Sequence, residues 1–168
     1  MADFTVVLAT DGSVGALKAA SWIDENLVDG NVTVHVVSVI GVPSFDEEAS
    51  NRGLVYNPQW DSAEAVHNAW SRAMVRADEA LHQTEHVLTH VHRIERQILQ
   101  APHPAEAIVH YARDHHADMI IVGRRGHSRL GSLLGSVSFA IVHQSPIPVT
   151  VIGHHPLWEN AAAPSVSS

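Results

Sequence analysis

The chain has no cysteine among its 168 residues. That excludes a disulfide framework, a thiolate zinc site and a cysteine nucleophile. Lysine occurs once, at Lys18, beside nine arginines, and the formal net charge is −8. Nucleic acid requires a concentrated basic face, so this composition argues against it as a partner. No stretch reaches the ~18 apolar residues of a membrane span, and the N-terminal MADFTVVLATDGS lacks a basic segment before its strand-length apolar run. A cytoplasmic protein without membrane contact is expected. Neither GxxxxGK[ST] nor GxGxxG occurs, which removes both of those phosphate loops. What is present, 45 % hydrophobic residues, suffices for one domain with a sizeable core.

The most informative stretch is residues 117–138, ADMIIVGRRGHSRLGSLLGSVS. Met119, Ile120, Ile121 and Val122 form an unbroken, β-branched run, the signature of a parallel strand covered on both faces. The run stops at Gly123, and glycine recurs four times in the thirteen residues from 123 to 135. Gly135-Ser136 then leads into Val137, Phe139, Ala140, Ile141 and Val142 at helical spacing. A strand, a glycine turn and a helix opened by Gly-Ser aim unpaired backbone N–H groups at an anion. Arg124, Arg125 and Arg129 crowd this loop in an otherwise acidic chain. The other interpretation is a tight strand-to-helix connection with glycines at positive φ and Ser136 as N-cap.

Residues 4–9 (FTVVLA) read as the first strand, broken by Thr10-Asp11-Gly12-Ser13 before a helix ending near Asp29-Gly30. Asp11 stands at the carboxyl edge of that strand, where open α/β sheets bind ligands, though Asp11 or Ser13 serves equally as a helix cap. Residues 32–39 are the second strand, with His35 as a hydrogen-bonded structural residue. Residues 41–62 form an irregular excursion. A long helix follows over 62–91, with Thr84, Leu88 and Val91 in its apolar stripe and His82, His86 and His90 one turn apart beside it. Those histidines lack a third ligand type at zinc-like spacing, and a solvated polar face is expected instead of a metal ladder. Residues 93–99 alternate as a half-exposed edge strand, 105–116 form a helix, the last helix runs to about Gln144, and Val149–Ile152 is the final strand. The domain is expected over 1–155, with a polar, disordered tail over 156–168.

The motifs Thr10-Asp11-Gly12-Ser13 and Gly123, Gly126, Gly135-Ser136 resemble those of the universal stress protein family. The likeness covers roughly residues 3–40 and 100–153. Eight residues separate Gly126 from Gly135 where the family pattern has nine. The resemblance implies an α/β fold: a Rossmann-like open parallel five-stranded sheet, order 3-2-1-4-5, with helices on both faces. It implies that Asp11 holds ribose hydroxyls, with Thr10 beside it in the nucleotide site, that Ala9 offers backbone and a methyl to the base and that Val36 lies against adenine. Phosphates would fall to Val122, Gly123, Arg124, Gly126, His127, Arg129, Gly135, Ser136 and Val137. The implied ligand is ATP with Mg2+ or another adenine nucleotide, and the implied assembly is a homodimer through Val149–Ile152. No carboxylate general base stands in the glycine loop, which favours a stress-response regulator over a dedicated enzyme. A slow or self-phosphorylating ATPase, using Ser128 or Ser136, and an interaction module that has lost ATP or prefers AMP or a cyclic nucleotide are the alternatives.

Overall fold

The computed structural model describes residues 4–27, 31–42, 63–124 and 134–153. These residues form β1 (Phe4–Ala9), α1 (Val14–Asn26), β2 (Val32–Gly41), α2 (Ala63–Val87), β3 (Arg93–Ala101), α3 (Pro104–Asp114), β4 (Met119–Gly123), α4 (Ser136–Gln144) and β5 (Val149–Ile152). The five strands are all parallel, in the order β3-β2-β1-β4-β5. This is the expected open Rossmann-like sheet.

The β-branched strands explain the layers. Successive side chains point to opposite faces, so an apolar run with no alternation feeds two cores at once. Val6, Leu8, Val34, Val36 and Ile121 pack with Ala19, Ala20 and Ile23 of α1 and Leu81 of α2. On the other face, Val7, Val37, Ile120 and Val122 pack with Ile108, Val109 and Ala112 of α3 and Ile141 of α4. Each fully buried Val, Leu or Ile contributes about 1.5–3 kcal/mol. β3 is an edge strand, as its alternation predicts, but it continues to Ala101 by pairing with Gly41.

Two helix ends differ from expectation. α2 stops at Val87, not at 91, because a buried carboxylate on α1 captures the next residues. Asp24 accepts the His90 N–H at 2.6 Å and the Thr89 hydroxyl at 2.9 Å. Leu88 and Val91 are nevertheless buried. α3 ends at Asp114, not 116: His116 enters the left-handed region (φ 51), and the Ala117 N–H bonds back to Ala112 O at 2.8 Å.

Candidate functional site

A cleft of about 270 Å³ opens at the carboxyl ends of β1, β2 and β4. β1 lies between β2 and β4, so this is the point where strand order reverses and ligands bind in open α/β sheets. The cleft is lined by Ala9, Val37, Val39 and Val122 from the strands and by Pro104 and Ile108 of α3. Asp11 and Ser13 close one side, and Gly123 and Gly135 to Ser138 the other. Its character is therefore an apolar slot with a polar rim, the usual form of a small-molecule site.

The turn between β1 and α1 is tied by its own side chains. The Ser13 N–H donates to Asp11 Oδ1 at 3.0 Å, and Ser13 Oγ caps α1 by accepting from the Ala16 N–H at 3.3 Å. Thr10 is buried; its hydroxyl lies 2.7 Å from that of Thr84 on α2 and accepts from the Gly12 N–H at 3.1 Å. Gly12 adopts φ +74, which favours a residue without Cβ. Ser13, not Asp11, is the cap of α1; Asp11 ties the turn through one oxygen and is exposed at the cleft rim.

The turn after β4 is different. α4 begins at Ser136, its N-cap is Gly135, and no side chain caps it. Ser136 is thus the first helical residue, not the cap. A glycine cap has no oxygen to offer the first-turn N–H groups, and α4 carries no acidic residue in that turn to offset its dipole. α3, whose Pro104 lines the same cleft, likewise has no side-chain cap at His103. Gly123 is needed for close approach instead of positive φ. A Cβ there would lie 2.4 Å from both C and O of Gly15. Ser138 secures the entry to α4 by donating to Gly123 O at 2.8 Å.

Of the implied nucleotide contacts, Ala9, Thr10, Asp11, Val122, Gly123, Gly135, Ser136 and Val137 come together in this cleft. Gly126, His127 and Arg129 lie outside the described residues, as do most of the 41–62 excursion and the 156–168 tail. One expected contact needs correction. Val36 is fully buried in the opposite core, facing α1 and α2, and the β2 residues lining the cleft are Val37 and Val39. Arg124 donates its backbone N–H to Ile152 O at 2.8 Å and accepts from the Gly135 N–H at 2.9 Å. Its side chain passes Gly153. Ser138, Pro104, Ile108 and the two valines were not foreseen. Strand pairing of Ala9 with Val37 is the signal that identifies the correct face of β2.

A second, wider cleft of about 540 Å³ adjoins the first, with Asp11 and Val39 common to both and Ala80 and Gln83 of α2 on its far side. The histidine row on α2 does not form a ladder. His82 faces Arg96 Nη1 at 3.1 Å, while His90 leaves the helix for Asp24. Among the described residues no group of three His, Asp or Glu side chains could hold a metal. His35 is hydrogen-bonded as expected, and buried, with Nδ1 3.0 Å from the Tyr111 hydroxyl and 3.7 Å from Glu95. Desolvation lowers its pKa; Glu95 opposes the shift and His115 adds to it.

A family model described as Universal stress protein family matches residues 4–153. The universal stress protein in the QAH/OAS sulfhydrylase 3′ region of Thermus aquaticus is 31% identical over 149 residues, spanning 88% of this chain and 97% of that protein. Among solved structures, a universal stress protein in complex with cAMP superposes with TM-score 0.53 at 23% identity, covering 91% of this chain and 98% of that one. A universal stress protein family protein from Arabidopsis thaliana with AMP bound gives TM-score 0.59 at 18% identity, covering 97% of both chains. No helix among the described residues is long and apolar enough to cross a membrane.

Proposed function

The chain belongs to the universal stress protein family, and from that premise we propose that it binds an adenine nucleotide, ATP with Mg2+ foremost, as a cytoplasmic stress-response regulator. One observation carries this proposal: the uncapped start of α4 faces an apolar slot whose opposite rim is the Asp11 carboxylate. The slot, just below the roughly 300–1,000 Å³ typical of whole ligand pockets, suits base and sugar. Phosphates extend from it to the first-turn N–H groups of α4, where the helix dipole favours negative charge. The AMP and cAMP complexes of distant relatives support the same base and sugar class. Asp11 is the one carboxylate among the described lining residues, and it already accepts from Ser13. That favours a ligand-controlled regulator over a dedicated hydrolase, which needs a residue to orient the attacking water.

Calorimetric titration with ATP, AMP and cAMP tests the proposal. At ~0.3 kcal/mol per non-hydrogen atom, a ligand of about 31 such atoms reaches about 9 kcal/mol, a micromolar dissociation constant or tighter. No heat with any of the three, and no nucleotide released from purified protein, would remove it. We further propose a homodimer through the β5 edge. Phe139 and Val142 of the adjacent α4 are 59% and 46% exposed, and a sheet edge presents unmated backbone groups. Sedimentation at a single monomeric mass would overturn that assembly.

A further inference from the structure

Thr84 lies on α2, outside every motif that marks the site, and is fully buried. Its hydroxyl donates to Ala80 O at 2.7 Å, so it has no second proton to give. The 2.7 Å contact with Thr10 Oγ1 must therefore run from Thr10 to Thr84. Thr10 Oγ1 in turn accepts from the Gly12 N–H. The result is a one-way chain: Gly12 N–H to Thr10 hydroxyl, Thr10 hydroxyl to Thr84 hydroxyl, Thr84 hydroxyl to Ala80 carbonyl. The same turn of α2 also seats Gly12 by contact, since a Cβ there would lie 3.2 Å from Ala80 Cβ. Asp11 is the residue between the two anchored ones.

We propose that Thr84 is the positioning residue that aims the Asp11 carboxylate, and so sets how strongly the site prefers a ribose over a 2′-deoxyribose. This rests on the reading above that Asp11 receives the sugar hydroxyls. Valine has nearly the shape of threonine and would fill the same apolar surroundings, so packing alone does not call for a hydroxyl here. A buried hydroxyl with both roles satisfied fixes its partners in one arrangement. A site built to hydrogen-bond a hydroxyl discriminates against the analogue lacking it, but only while its acceptor is held in place.

The test is calorimetric titration of wild type, Thr84→Val, Thr84→Ser and Asp11→Ala with ATP and with 2′-deoxy-ATP, each with Mg2+. Wild type should prefer ATP by about tenfold or more, the worth of one hydrogen bond to a charged group. Thr84→Val should reduce this ratio several-fold while leaving 2′-deoxy-ATP affinity within about twofold. Thr84→Ser should restore the ratio, and Asp11→Ala should abolish it. A merely structural role would weaken both ligands equally. Equal weakening, a ratio that serine does not restore, or an unchanged ratio in folded Thr84→Val overturns the proposal. If Thr84→Val does not fold, Thr84→Ala removes the same hydroxyl and must give the same loss of ratio. Failure of wild type to bind either nucleotide overturns the nucleotide reading itself, and with it the role given to Thr84.

Discussion

Two strand-to-helix turns meet at the cleft, and they have opposite constitutions. The one after β1 satisfies itself: Asp11 holds Ser13, Ser13 caps α1, and Thr10 is anchored to α2. The one after β4 leads into a helix capped by a glycine with no side chain to complete it. A turn of the first kind presents a shaped, oriented acceptor, whereas one of the second kind presents unsatisfied donors. On the proposed reading, the pair would let one cleft receive a ligand that is hydroxyl-bearing at one end and anionic at the other.

The largest effect should come from forcing the turns apart. Gly123→Ala puts a methyl 2.4 Å from the backbone of Gly15, and neither strand end nor helix start can yield cheaply. We expect a loss of about 3 kcal/mol or more, or no folded protein, measured as the urea midpoint. Gly12→Ala, which strains a left-handed residue and crowds Ala80 at 3.2 Å, should cost less, about 1–2 kcal/mol. Equal losses would mean that the close approach at Gly123 is easily relaxed.

A smaller effect is expected from making the two turns alike. Gly135→Asp would supply α4 with the cap that α1 already has. The expected gain in stability is up to about 1 kcal/mol from the cap and the dipole. Nucleotide affinity should fall at least tenfold, because a carboxylate would occupy the donors and repel phosphate. Stability and affinity rising together in paired unfolding and titration experiments would refute the role given to that helix start.

The smallest effect concerns pH. Burial lowers the pKa of His35, so the unfolded chain takes up a proton more readily than the folded one. Stability should therefore be present above the ordinary value of 6.5 and be lost as pH falls below it, until the folded pKa is passed. Burial alone would raise the pKa of Asp24, but bonds from His90 and Thr89 outweigh it and lower the value. Its contribution is held above 3.8 and disappears only as pH falls through the depressed folded value. His35→Gln should flatten the first step of an unfolding-midpoint series against pH and leave the second unchanged.

The strands were legible because β-branched runs and glycine breaks mark each one; their order followed from the resemblance to the family. The same runs concealed the face of β2. In VTVHVVSV nearly every residue is apolar or β-branched, so no alternation distinguishes Val36 from Val37 and Val39. Register with β1 decides it, and register is a tertiary property. Thr84 was hidden in a similar way, since a threonine at helical spacing in an apolar stripe reads as core. Its function depends on Thr10, seventy-four positions away. The early end of α2 was equally unreadable, because Asp24 sits on another helix.

The contact between Gly123 and Gly15 also limits how the cleft can change. With room there for hydrogen alone, the floor is an incompressible joint. Any descendant of this chain that admits a bulkier cargo must win space from the α3 wall at Pro104 and Ile108, where trimming a side chain suffices. Sterics thus leave one wall of the pocket open to trimming and fix the other.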